Sequence, residues 1–132
     1  NNASGITLYD LEISGSGTGL CQVAATSVGF TFNAMVITYT GGQVRFSVSR
    51  TVTTTTLTAN GSASNLITFR LISGVGQATI NAASASVSYV DVQDNNADGA
   101  AAPFDNTVGG IDNGNNTDWF FPPSGTIQAI IF

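Results

Sequence analysis

The chain has 132 residues, of which only 8% are charged, and its formal net charge at pH 7 is −5. Its only cationic side chains are three arginines, so it lacks the clustered basic residues that bind the phosphates of nucleic acid. The hydrophobic content of 42% is too high for intrinsic disorder, and no apolar run approaches the ~20 residues of a membrane-spanning helix. We therefore expect one folded domain over residues 1–132, with no nucleic-acid binding and no membrane span.

Alternation of apolar and polar residues recurs along the chain, whereas no window of a dozen residues keeps the spacing of an amphipathic helix. The first alternating run begins at Tyr9 and ends at Ile13, before the glycine-rich turn 15–19. Short runs of the same kind follow at 21–25 and 28–32. These three segments are predicted strands.

The segment 35–49 contains the clearest local pattern of the chain. Two β-rich runs, 35–40 and 43–49, are separated by Gly41 and Gly42, which can adopt the positive φ of a two-residue hairpin loop. In the second run Val44 and Phe46 point to one face and polar residues to the other. The pattern predicts a β-hairpin.

A threonine-rich run occupies residues 51–58 and ends at the turn pair Asn60-Gly61. A regular threonine ladder is one pattern of an ice-binding surface. This run occurs once, however, and no sequence repeat accompanies it, so an exposed strand is the favoured interpretation.

Further strands are predicted at 67–71, 78–80, 85–92 and 126–132, the last of them apolar on both faces. Together the runs give about eight or nine strands with frequent turn signals and essentially no helix. The expected fold class is therefore all-β, an antiparallel β-sandwich with a jelly-roll-like arrangement.

The region 91–118 is rich in Asn, Asp and Gly and holds six of the eight carboxylates. Within it a calcium-loop spacing of oxygen ligands is matched by Asp94, Asn96, Asp98 and Asp105, with Gly99 at the turning position. Calcium is the cofactor that this spacing predicts. The alternative is a structured loop without metal, because Asp, Asn and Gly are also the ordinary residues of turns.

An aromatic cluster, Trp119-Phe120-Phe121, follows the acidic region directly. Trp119 next to Asp118 suits sugar recognition, in which an aromatic ring stacks on the sugar and polar groups bind its hydroxyls. The alternative is a set of core side chains that close the end of a long loop.

Serine, threonine and asparagine supply most of the polarity, which favours an extracellular or cell-surface location. Three Asn-X-Ser/Thr sequons agree with it, and their acceptors Asn2, Asn60 and Asn115 are glycosylation candidates. The single Cys21 has no partner for an intramolecular disulfide; a buried thiol is the favoured interpretation and an intermolecular disulfide the alternative.

Catalysis is not expected. The chain has no histidine and no lysine, and nothing in the sequence suggests a base that would activate Cys21. A pair of carboxylates drawn from Asp10, Glu12 or the acids of 91–118 is the remaining candidate for glycoside hydrolysis, but turn residues rather than apolar pockets surround them.

The function expected from these features is a non-enzymatic structural protein. It would be a self-assembling subunit of an extracellular filament or another cell-surface or virion assembly, bound to copies of itself and stabilised by calcium. Exchange of a terminal strand, either 1–13 or 126–132, would join the subunits. The alternative is a calcium-dependent carbohydrate-binding module or a lectin or adhesin domain, which would bind glycans.

Overall fold

A computed structural model describes residues 6–25 and 29–123 of the chain. Within those ranges it contains β-strands and no helix, and hence no helix that could span a membrane. The strands in chain order are β1 (Ile6–Ile13), β2 (Leu20–Val23), β3 (Phe30–Ile37), β4 (Gln43–Phe46), β5 (Thr51–Asn60), β6 (Ile67–Leu71), β7 (Ala78–Ser88), β8 (Val90–Val92), β9 (Asn95–Asp98), β10 (Phe104–Asp105), β11 (Ile111–Asp112) and β12 (Trp119–Phe120).

The named strands form three sheets, and every strand pair within them is parallel. The first sheet has the order β1-β3-β5-β7-β9, the second β11-β8-β6-β4-β2, and a short third sheet pairs β10 with β12. From β1 to β9 the chain alternates between the first and second sheets, so each coil adds one strand to each. This arrangement is a parallel β-solenoid.

The expected all-β class is confirmed, but the antiparallel sandwich or jelly roll is wrong. Because successive strands lie in different sheets, each strand pairs with one that comes a full coil later. The predicted hairpin at 35–49 is wrong for the same reason, since β3 and β4 belong to opposite sheets. Gly41 and Gly42 turn the corner between them, and a Cβ on Gly42 would lie 2.2 Å from the carbonyl oxygen of Gly19 in the previous coil.

The core runs the length of the solenoid because parallel register stacks like positions on one another. Val44, Phe69 and Val92 form one such column on the inner face of the second sheet, and all three are fully buried. Phe69 also makes an edge-to-face contact with Phe46, with ring centroids 5.3 Å apart. Neighbouring members of a column are about 4.8 Å apart along the solenoid, so each apolar side chain contacts the next one in the column.

Candidate functional site

The acidic region 91–118 is part of the solenoid rather than a free loop, because β11 stacks on β8 and Thr117 stacks on Asn96. Asn96 and Asp98 lie on β9, Asp94 immediately precedes it, and Asp105 lies on β10 in a different sheet. An extended strand spreads Asp94 to Asp98 over roughly 13 Å, whereas a calcium loop curls its ligands around one point. The structure therefore does not bring these four side chains together in a ring.

Three of these predicted ligands are hydrogen-bonded to neutral side chains of adjacent coils. An Asp94 carboxylate oxygen accepts from Nδ2 of Asn115 at 2.8 Å. Asp98 accepts from Nδ2 of Asn81 at 3.1 Å, and Asn96 donates from Nδ2 to the Thr79 hydroxyl at 3.4 Å. At Asp94 and Asp98, amide groups thus already occupy carboxylate oxygens that a cation would use.

Asp105, the fourth predicted ligand, is engaged locally. Its Oδ1 accepts from the Thr107 hydroxyl at 2.6 Å and from the Thr107 backbone N–H at 3.0 Å. Because both bonds favour the ionised form, they lower the pKa of the Asp105 carboxyl below its usual value. With a lowered folded pKa, the contribution to stability is present at neutral pH and is lost as the pH falls through that pKa.

Calcium binding by Asp94, Asn96, Asp98 and Asp105 stays a prediction. Across 6–25 and 29–123, no group of three or more His, Cys, Asp or Glu side chains is arranged to hold a metal ion. If calcium binds, chelation with EDTA should lower the melting temperature, because calcium at about 100 times its Kd stabilises a protein by ~2.7 kcal/mol. Thermal unfolding measures this, and equal melting temperatures in EDTA and in millimolar calcium would contradict it.

The negative charge of this region is partly compensated by a cation from a neighbouring coil. Arg70 on β6 lies beside Asp91 on β8, and its guanidinium donates to Asp91 Oδ1 at 2.8 Å and to the Asp91 backbone carbonyl at 3.1 Å. Asn113 also donates to that carboxylate oxygen. The sequence did not reveal this pair, because its members are 21 positions apart in the chain.

Asparagine side chains hold the later part of this region to β8 and β9. Asn106 is fully buried, and its amide bonds both backbone groups of Val90: Oδ1 accepts from the N–H at 3.3 Å and Nδ2 donates to the carbonyl at 2.8 Å. Asn116 similarly donates to the Val92 carbonyl and accepts from the Asn95 N–H. These amides replace strand pairing where the chain turns, which supports the interpretation of 91–118 as a structured segment.

Trp119 lies inside the protein, with only 8% of its surface exposed. Its ring stacks on Phe121 at 6.1 Å and meets Phe104 edge to face at 5.1 Å, while its Nε1 donates to the buried Asn95 Oδ1. The indole therefore presents no open face to a sugar. Asp118 is exposed at positive φ and does not change this arrangement.

The three sequons have different surroundings. Asn60 is exposed at the end of β5, where Nδ2 donates to Ser86. Asn115 is also exposed, but both hydrogens of its Nδ2 are used, one by Asp94 and one by the Gly76 carbonyl. Asn2 lies outside the described residues. Glycosylation at these positions remains a prediction.

The feature that sequence analysis missed is the open end of the solenoid beside β1 and β2. A cavity of about 610 Å³ opens there between the two edge strands. Apolar and aromatic side chains of the core and of its border line it, among them Leu11, Ile13, Cys21, Val23, Phe30 and Phe32. Cys21 is half-buried in this lining.

The two ends of the solenoid differ in how they are covered. Among the described residues no strand pairs with the outer edge of β1 or of β2. At the opposite end, Thr117 forms a parallel bridge with Asn96 of β9, and the aromatic residues around Trp119 pack over the core. The end at β1 and β2, called here the open end, is therefore the candidate functional surface.

Comparisons with protein-family models, with curated proteins and with solved structures find no match to this chain.

Proposed function

We propose that the chain is a non-enzymatic structural subunit of an extracellular assembly, and that a second copy packs against its open end. The apolar cavity between β1 and β2 is the observation that carries this proposal. Burial of such a surface against another subunit removes apolar area from water, at about 25 cal/mol per Å².

The exposure of side chains along the core columns also supports packing of a second copy at the open end. Leu11 of β1 is stacked on Met35 of β3, which is stacked on Leu57 of β5. Met35 and Leu57 are 0% and 1% exposed, whereas Leu11 is only half-buried. An additional coil at this end would give Leu11 the neighbour that the inner members of its column already have.

The backbone of the edge strands β1 and β2 supports the proposed packing as well. An edge strand has free N–H and C=O groups along one side, and proteins that stay monomeric usually protect such edges with charged side chains, lysine above all, or with proline. Neither lysine nor proline occurs in β1 or β2, and β2 has no charged residue. The acids Asp10 and Glu12 face outward on β1, so repulsion between them and acids of another copy would make assembly stronger at high ionic strength.

The structure favours edge addition over exchange of the first terminal segment. Of residues 1–13, the part that forms β1 already pairs with β3 of its own sheet. A neighbour would then add to the outer edge of β1 without displacing it. The other predicted donor, 126–132, lies outside the described residues.

We propose no catalytic role for the carboxylates of β1, because their surroundings do not suit one. Asp10 and Glu12 are exposed, and Asp10 accepts a hydrogen bond from Asn33 at 3.1 Å. Glu12 borders the cavity at the open end, but its side chain is exposed to solvent, as is that of Asp10.

Sedimentation velocity over a range of protein concentrations tests the proposal. We expect the wild type to associate and Leu11→Lys to shift this association to higher concentration, because the substitution places a charge at the open end. Val75→Lys is the matched control, since Val75 is 97% exposed in a loop remote from β1.

Dimers would place two open ends together and longer polymers would join unlike ends, and both outcomes support the proposal. A wild type that is monomeric at every concentration and ionic strength contradicts it. So does association that Leu11→Lys leaves unchanged while circular dichroism shows both proteins folded.

A further inference from the structure

The outer face of the first sheet carries a feature unrelated to the open end. In the structure the threonine run of β5 lies between β3 and β7, with Thr31 beside Thr53 and Thr51 beside Thr79. The columns continue through Asn81, next to Thr53, and Asn96, next to Thr79. We call this group the threonine facet: Thr31, Thr51, Thr53, Thr79, Asn81 and Asn96.

The boundary of the facet follows from the burial of β5. Exposed and buried residues alternate up to Thr54, after which Thr55 and Thr56 are both exposed and the alternation resumes in the opposite phase. The outer face of the sheet therefore has two parts, and the threonine facet lies on the part before Thr55.

The facet is uncharged in a chain that carries eight acids and three arginines. The strands β3, β5 and β7 contain no charged residue, and their aromatic residues, Phe30 and Phe32, line the cavity at the open end instead. The nearest acid on this face is Asp98 of β9, which accepts the hydrogen bond from Asn81. An uncharged ligand is the complement of such a surface. No aromatic ring of β3, β5 or β7 points outward to stack on a sugar, and the exposed Tyr9 lies on β1, outside the facet.

The hydroxyls at the centre of the facet are available to a ligand. Within the described ranges, the side chains of Thr31, Thr51 and Thr53 form no hydrogen bond to another protein group, whereas inward-facing Thr54 donates to the Thr56 carbonyl at 2.8 Å. Each free hydroxyl has one donor and two acceptor positions, as a water-binding group requires.

We propose that the threonine facet binds ice. Parallel strands repeat the hydroxyls about every 4.8 Å along the solenoid, and alternate residues of one strand repeat them about every 6.6 Å across it. These two repeats are close to those of water molecules on faces of hexagonal ice. The bound waters continue the lattice from the hydroxyls, while the threonine methyl groups pack between them. The ligand is the ice surface itself.

Inhibition of ice recrystallisation by the purified protein tests this proposal, together with the shaping of single ice crystals. We expect both activities in the wild type. Thr53→Lys should reduce them by about tenfold, which corresponds to ~1.4 kcal/mol of lost binding free energy. Thr68→Lys is the matched control, because Thr68 is equally half-buried and faces outward from β6 of the second sheet. It should retain the activity of the wild type.

Thr53→Val removes the hydroxyl but keeps the branched side chain and thus the strand, so a loss of activity there does not depend on unfolding. The proposal is overturned if the wild type has no effect on ice, or if Thr53→Lys and Thr68→Lys act alike. Sedimentation with insoluble cellulose or chitin, lost in Thr53→Lys and without any effect on ice, would instead assign the facet to a polysaccharide.

Discussion

Replacement of Asn106 by leucine is expected to lower the free energy of unfolding by about 2–5 kcal/mol, the penalty of two buried polar groups left without partners. The Asn106 amide is fully buried and bonds both the N–H and the carbonyl of Val90. Leucine has a similar volume but offers neither a donor nor an acceptor. Both backbone groups of Val90 would then be unpaired inside the protein.

Urea unfolding measures this effect, with Asn33→Leu as the control. Asn33 is exposed and makes one bond, to Asp10, so its replacement should cost less than about 1 kcal/mol. Asn106→Asp adds a second test. Its stability should recover partly as the pH falls, because burial raises the pKa of the new carboxyl and the protonated form can donate to the Val90 carbonyl. Equal stability of Asn106→Leu and the wild type would contradict the role assigned to this amide.

Replacement of Phe69 by alanine should lower the free energy of unfolding by about 3–5 kcal/mol. Phe69 is fully buried in the middle of the second sheet, with edge-to-face contacts to Phe46 at 5.3 Å and Trp119 at 6.3 Å. It connects the column of the central coils to the aromatic residues over the last coil, so its removal leaves a cavity that both parts border.

The control for this prediction is Phe120→Ala. Phe120 is 55% exposed on β12, and its truncation removes the same atoms with little change in the core. A loss of stability at Phe69 no larger than that at Phe120 would contradict the assignment of Phe69 to the centre of the core. Denaturant unfolding of both variants decides between these outcomes.

The sequence pattern predicted the β class and the inward faces of several strands, including Val44 and Phe46, because alternation depends only on local burial. The direction of pairing depends on which strand lies beside which, and that information is not local. Gly41 and Gly42 permit a tight hairpin and also the corner of a solenoid, so turn chemistry alone did not separate the two.

The threonine facet could not be recognised from the sequence for a related reason. Coils of unequal length build the solenoid: Ile6 pairs with Phe30, but Ala78 pairs with Asn95. A fixed sequence period is therefore absent, and Thr53 looks like part of a single run until the fold sets β3 and β7 on its two sides. The pairing of Arg70 with Asp91 likewise arises only from the stacking of β6 on β8.

In the acidic region, the calcium-loop spacing competed with a role that the same residue types perform in turns and corners. Asparagine amides carry both a donor and an acceptor, so they can bond backbone groups where a coil leaves its sheet. Asn106 and Asn116 act in this way. Whether such a side chain binds a metal or a backbone group depends on which groups lie beside it in the fold, here those of Val90 and Val92. Spacing along the chain does not give that information.

Hydrogen exchange followed by mass spectrometry, on the dilute and on the concentrated protein, tests the central claim most directly. In the proposed assembly, another subunit packs against the open end of the solenoid. Association should then slow exchange in β1 (Ile6–Ile13) and β2 (Leu20–Val23), whose outer edges pair with no strand in the described part of the chain. In a dimer of open ends it should leave β9 and β6 unchanged. Exchange in β1 and β2 that does not slow while the protein associates would contradict the account.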